Sequence, residues 1–265
     1  MIVKTNNKVK ITLRNVTKIF GKNEDRVIAL DDVNLEILDN KFTTIVGPSG
    51  CGKSTLLYLL AGFEKPSKGD IIKDGKRINR PGPDRGFVFQ DFALFPWRSV
   101  LGNVMFGLIN NGYGKKQAKE IAMDYINLVN LKGFEHAYPH TLSGGMKQRV
   151  SIARALAYDP EVLLMDEPFG SLDAQTRKYM QEELVKIWEK FHKTVVFVTH
   201  SVIEAVYLSD IIVVMSARPG KVKGVFEATF PRPRDYTGDD FLALRKEVLG
   251  LLEEEVQKEI KMDQV

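Results

Sequence analysis

The sequence predicts an α/β fold, and three observations carry that prediction. Short apolar or β-branched runs of strand length recur at 43–46, 86–89, 162–165, 195–198 and 211–214. Runs of this kind suit strands buried on both faces, as in parallel sheets covered by helices. Stretches of helical period lie between them: Met180, Leu184, Ile187, Trp188 and Phe191 line one face of a helix that Asp173 opens. A glycine-rich turn, finally, joins the run ending at Val46 to a helical stretch from Thr55 to Ala61. Strand and helix in alternation give an α/β architecture.

Two regions depart from that alternation. Residues 8–40 alternate apolar and polar positions, with Val9, Ile11 and Leu13 on one side of Gly21, Lys22 and Asn23 and Val33, Leu35 and Ile37 on the other. They read as antiparallel strands. Residues 99–157 carry no strand pattern and read as helical. Pro231, Arg232, Pro233 and Arg234 then break the chain. A last segment follows with Phe241, Leu244, Val248, Leu252, Val256 and Ile260 at helical spacing, a stripe expected to pack on its own chain.

Composition bounds the function. With 265 residues, 44% hydrophobic and 27% charged, the chain can bury a full core without disulfides. The single cysteine, Cys51, excludes an intrachain disulfide and fits a reducing compartment. The start of the chain has no apolar stretch behind a basic head, so no signal peptide is read. The densest apolar run, Leu56 to Phe63, is far short of the roughly 20 residues that cross a bilayer. Work at a membrane would need a second chain. The net charge of +4 fits an ordinary solvated surface.

The glycine-rich turn is the most informative element. Gly47, Pro48, Ser49, Gly50, Cys51, Gly52, Lys53 and Ser54 fit the pattern G-x-x-x-x-G-K-[ST] between a strand and a helix. Glycines let backbone N–H groups turn inward around phosphate oxygens, and the helix start at Thr55 adds its positive dipole end. Lys53 would reach the β- and γ-phosphates and the Ser54 hydroxyl would ligate Mg²⁺.

Other strand ends should meet the same crevice, because ligands of α/β sheets bind beyond the carboxyl ends of strands. The run 162–165 leads into Asp166, a metal carboxylate in this reading, and Glu167, a base for the attacking water. His200 closes the run 195–199, and Gln90, which could orient a water or face the metal, follows the run 86–89.

These residues resemble the ABC ATPases. The resemblance is carried by Leu142, Ser143, Gly144, Gly145, Met146, Lys147, Gln148 and Arg149, together with the phosphate loop, Gln90, the strand into Asp166, Glu167 and Pro168, then Ser171, Leu172 and Asp173, and His200. Met146 stands where the family commonly has glutamine. The resemblance implies a RecA-like P-loop core with an antiparallel β-subdomain and a helical subdomain. It places an ATPase domain over 1–231, its helical subdomain at about 96–157, and a C-terminal helical extension at 232–265. It further implies a head-to-tail homodimer with two ATP molecules between the chains. Ser143, Gly144 and Gly145 of one chain would then face the γ-phosphate at the other chain's loop. Phe20 takes the position of an adenine-stacking aromatic, and Asp173 that of an acidic residue crossing the interface.

Residues 89–98 and 215–220 resemble importers of nitrate, sulfonates and taurine. That resemblance implies a transmembrane permease, an extracytoplasmic solute-binding protein, and a place on the inner face of the cell membrane. Phe92, Phe95, Trp97 and Phe106 are candidates to meet the permease or to fill the helical subdomain. The rival reading is a non-transport ABC ATPase acting on nucleic acid or ribosomes. Such chains carry tandem halves or long coiled-coil insertions, and neither pattern is present, so no nucleic-acid partner is expected.

Overall fold

The computed structural model describes residues 8–21 and 23–263. The chain forms two compact units: the described parts of Met1–Gly82 and His192–Val265 make one, and Pro83–Phe191 the other.

The first unit begins with β1 (Val9–Phe20), β2 (Val27–Leu38), β3 (Phe42–Val46), α1 (Lys53–Ala61), β4 (Lys68–Lys73) and β5 (Lys76–Arg77). The second holds β6 (Arg85–Val88), α2 (Val100–Asn110), α3 (Lys115–Leu128), α4 (Gly144–Leu156), β7 (Val162–Asp166) and α5 (Ala174–Phe191). The chain then returns to the first with β8 (Thr194–Thr199), α6 (Val202–Leu208), β9 (Ile211–Met215), β10 (Val222–Glu227) and α7 (Asp239–Asp263).

In the first unit, β10, β9, β3 and β8 lie side by side in that order; β9, β3 and β8 are parallel and β10 is antiparallel to β9. Every residue of β3, β8 and β9 is buried, as their apolar and β-branched runs predict. Among the hydroxyls this burial encloses, Thr44 pairs with Ser209, which also bonds the Ala205 carbonyl, while Thr43 Oγ1 has no hydrogen-bond partner among the described residues. A separate antiparallel sheet runs β2-β1-β4-β5. Its β1–β2 pair was legible as alternation. Strand β4 was not, because Lys68-Gly69-Asp70 opens it with no apolar side chain. Gly69, at φ 79°, passes so close to the Arg14 and Asn15 carbonyls that no Cβ would fit.

In the second unit, β6 and β7 pair in parallel, with Val88 opposite Met165. Helices α2, α3 and α4 pack on one another, and α4 also packs on β6 and α5. Helix α5 buries Met180, Leu184, Ile187 and Trp188, and Phe191 stacks on Tyr125 at 6.1 Å.

The C-terminal stripe packs on its own chain. Phe241, Leu244, Val248 and Leu252 are buried, and α7 rests on α6, β9 and β10. Val256 and Ile260 lie among the residues whose side chains are not described. The breaker before α7 is also a clamp: Arg232 pairs with Asp210 at 2.8 Å and donates to the Leu208 carbonyl at 2.6 Å, while Arg234 donates to Val206 and to Ala228. Two guanidiniums therefore satisfy carbonyls at the end of α6. Burial, and secondly the neighbouring Arg232, lower the Arg234 pKa from the ordinary guanidinium range to about 10. Val248→Ala should lower stability by about 2 kcal/mol, two methyls plus a small void. The loss should appear as a lower denaturant midpoint at unchanged slope; an unchanged midpoint would mean that the helix contributes no core.

Candidate active site

The phosphate loop leaves β3 at Gly47, and its shape follows from how closely it packs. A Cβ at Gly47 would lie 2.8 Å from Cys51 Sγ and 3.2 Å from Met215. At Gly52, φ is 102° and a Cβ would lie 2.8 Å from the Ala29 carbonyl oxygen. Only glycine serves at either position. Lys53, 5% exposed, donates its ammonium to the carbonyls of Gly47 (2.9 Å) and Pro48 (2.8 Å), which draws the side chain over its own loop.

Helix starts differ in a telling way. The side chains of Ser99, Ser143 and Ser201 cap α2, α4 and α6 by accepting backbone N–H bonds. Helix α3 starts after Gly114 without such a cap, and so does helix α1, which begins at Lys53 after Gly52. Its first N–H groups, near Lys53, Ser54 and Thr55, are therefore suited to an anion, which would take the place of the cap.

His200 leaves the neighbouring strand at the same end, since β3 and β8 pair in parallel with Val46 opposite Thr199. It is exposed, and its backbone is fixed on both sides. Thr199 donates to buried Glu204 at 2.5 Å and accepts from the Ser201 N–H at 3.0 Å. Phe20 ends β1 and is 40% exposed, with the Lys18 ammonium 4.7 Å from its ring centroid. It is therefore not a strand-core residue.

The second unit repeats the arrangement. Because β6 and β7 are parallel, Gln90 and the pair Asp166 and Glu167 leave the sheet at the same end. Asp166 is 3% exposed and Glu167 half-buried. Glu167 takes a left-handed backbone at φ 40°, rare for a side-chain-bearing residue, and its carbonyl accepts from the Gly170 N–H at 3.0 Å. That tight turn sets the direction of the carboxylate.

Ser143 and Gly144 are exposed at the start of α4, and Ser143 accepts from the Met146 N–H at 3.3 Å. Gly145 is buried; a Cβ there would lie 2.7 Å from Thr176. Asp173 caps α5, accepting from the N–H groups of Gln175 (3.1 Å) and Thr176 (3.0 Å). Bonds from Thr176 first, and from Gln175, lower its carboxyl pKa.

Three positioning residues escaped the sequence reading. Asn103, fully buried, accepts from the Phe95 N–H at 2.8 Å and donates to the carbonyls of Phe95, Arg98 and Ser99. Arg154 and Ser151 on α4 donate to the carbonyls of Phe92 and Ala93. Both Phe92 and Ala93 have positive φ. The loop after Gln90 is thus held by the helix that begins at Ser143. No motif marks these residues: Arg154 and Ser151 act on backbone 59 to 62 residues away, and Asn103 serves loop backbone four to eight residues before it.

A thiol beside Lys53 and a helix start is either activated or enclosed and inert, and Cys51 is enclosed. The residue is 0% exposed with its sulfur turned toward Gly47, so its contribution to the loop is backbone and packing volume. A thiol enclosed in this way is inert.

Comparison with known proteins agrees with this geometry. The ABC transporter family profile matches residues 30–170. An uncharacterized ABC transporter ATP-binding protein of Methanocaldococcus jannaschii is 56% identical over 254 residues, covering 96% of this chain and 95% of that one. The aliphatic sulfonates import ATP-binding protein SsuB of Bacillus cereus is 47% identical, covering 92% of this chain and 96% of its own. Among solved structures, a dimeric ATP-binding cassette in a post-hydrolysis state with ADP and Pi aligns at TM-score 0.73 and 34% identity, covering 83% of this chain and 100% of the other.

Proposed function

Since the chain belongs to the ABC transporter family of ATP-binding proteins and is an ATPase, we propose that it energises import of a small anionic solute, of the sulfonate, taurine or nitrate class, through a membrane permease. The observation that carries this reading is the 47% identity, over nearly the whole of both chains, to a protein named for aliphatic sulfonate import. No helix among the described residues is long and apolar enough to cross a membrane, so in this reading another chain supplies the pore. The chain would sit on the inner face of the membrane, and an extracytoplasmic binding protein would deliver the solute.

Each residue then has a role. The N–H groups of residues 47–55 and the Lys53 ammonium hold the phosphates, and Phe20 stacks on adenine. The Ser54 hydroxyl, the Gln90 amide oxygen and the Asp166 carboxylate are hard oxygen donors of the kind Mg²⁺ takes, and these residues would hold it. Bound there, Mg²⁺ would neutralise phosphate charge. Glu167 accepts the proton of the attacking water, and His200 orients the γ-phosphate. Solved relatives are dimeric. In a homodimer of this chain, exposed Ser143 and Gly144 would close the partner's site, with Asp173 at the interface. Phe95, Phe106 and the 71% exposed Trp97 form a surface aromatic group, 4.5 Å between the first two and 5.8 Å from Phe95 to Trp97, that suits a permease.

The test is reconstitution of the chain with its permease and binding protein in liposomes. ATP hydrolysis should rise on adding an alkanesulfonate, taurine or nitrate, with the solute moving toward the side where ATP is spent. Movement the other way, or no response to any of the three, would overturn the import reading and leave the ATPase standing.

A further inference from the structure

The turn between β9 and β10 contains Ala217, Arg218, Pro219 and Gly220, a motif that no role above uses. Its shape is fixed from several sides. The Ser216 N–H donates to the Lys221 carbonyl at 2.9 Å, and the Lys221 N–H donates to Ser216 Oγ at 2.9 Å. Gly220 ties the turn to β2: its N–H donates to the Ala29 carbonyl and its carbonyl accepts from the Asp31 N–H, both at 3.0 Å. A Cβ at Gly220 would collide with the Cys51 carbonyl oxygen, so the turn lies directly against the phosphate loop. From there Arg218 donates Nε at 3.3 Å and Nη2 at 3.2 Å to one acceptor, the Gly50 carbonyl.

We propose that Arg218 is a positioning residue of the phosphate loop, whose guanidinium holds the Gly50 carbonyl outward and so keeps the Cys51 N–H turned inward toward a phosphate oxygen. In a planar trans peptide, C=O and N–H point to opposite sides, so holding one fixes the other. The inward direction is visible. The Cys51 N–H is aimed at the Pro48 carbonyl at 3.4 Å, and the Lys53 ammonium bonds that same carbonyl at 2.8 Å. Amide and ammonium therefore face one side. The peptide needs an outside restraint because it joins Gly50, at φ 75°, to a segment that turns again at Gly52. Glycine on its N-terminal side lets this peptide flip more readily than a side-chain-bearing residue would. Arginine suits the task, since two donors of its planar fork meet one oxygen and its charge polarises the peptide, strengthening the N–H on the far side.

The proposal deepens the reading of residues 47–55 as a phosphate cradle and rests on it. The test is calorimetric titration of the full chain with MgADP, alongside steady-state ATP hydrolysis. Arg218→Ala should weaken MgADP binding by about tenfold, the usual effect of one charge-assisted contact. It should raise KM for ATP by a similar factor, with kcat changed less than about twofold, because bound nucleotide itself holds the peptide inward. Arg218→Lys, which keeps charge but not the fork, should fall between. Arg218 is exposed, so the melting midpoint of the nucleotide-free variants should not move. Wild-type MgADP affinity in Arg218→Ala would overturn the assignment. So would a loss accompanied by a falling nucleotide-free midpoint, or by equal damage in Arg218→Lys. Lys53→Ala separates the two levels: if it leaves MgADP binding intact, the cradle reading itself fails; if it weakens binding while Arg218→Ala does not, only the role of Arg218 fails.

Discussion

Glu167→Gln should bind MgATP at near-normal affinity and hydrolyse it about 10²–10⁴-fold more slowly, the range for loss of a general base. The substitution is close to isosteric. It keeps an oxygen that can accept a bond from water and removes the capacity to take the proton. The turn that aims the side chain depends on the backbone bond from the Gly170 N–H to the Glu167 carbonyl, which the change leaves in place. A structural loss would instead weaken binding and hydrolysis together, so both are measured. Slow hydrolysis should leave an ATP-bound dimer that elutes early on gel filtration. Near-normal turnover would remove Glu167 from the base role and shift attention to His200.

The second large effect tests whether one site is built from two chains. Ser143→Arg and Lys53→Ala homodimers should each be nearly inactive, because every composite site lacks either its loop lysine or the opposing serine. Mixing them should restore activity. In a mixed dimer, both lesions fall on one site and the other keeps the normal loop of the first chain and the normal Ser143 of the second. The ceiling is about half of the sites in mixed dimers, because only one site per dimer has both the donors and the positioning it needs. Arginine at 143 also removes the N-cap of α4, at a cost of about 1 kcal/mol. The melting midpoint of that variant separates the two effects. Full activity of the Ser143→Arg homodimer would mean that Ser143 is only a helix cap and does not touch nucleotide. ATP-driven dimerisation of the mixture is followed in parallel, since sites that must fire together would dimerise without turning over.

The amino-acid sequence by itself determined the α/β class, the phosphate loop and the strand ends that carry Asp166, Glu167, Gln90 and His200. These features are local. Whether a run is buried on both faces shows in its own side chains, and a loop that wraps phosphate needs glycine and lysine at fixed spacing. The β1–β2 hairpin was legible for the same reason, as a period of two. Strand β4 was not, because its pairing with β1 rests on backbone bonds and on Gly69 fitting beneath two carbonyls, and neither leaves an apolar pattern.

Only the tertiary structure decided what holds the chemistry in place. Asn103 grips the loop at Phe95 to Ser99, and Ser151 and Arg154 grip it at Phe92 and Ala93, from positions up to 62 residues away. Arg218 reaches the Gly50 carbonyl across 168 residues. Cys51, which sequence alone left as either a reactive thiol beside a lysine or a buried inert one, is enclosed, with Gly47 leaving room for its sulfur. For Ser151, Arg154 and Arg218 the physical reason is the same. A side chain that serves a distant backbone carbonyl gains its bond from geometry that only the folded chain creates, whereas a motif that binds phosphate carries its geometry within a few consecutive residues.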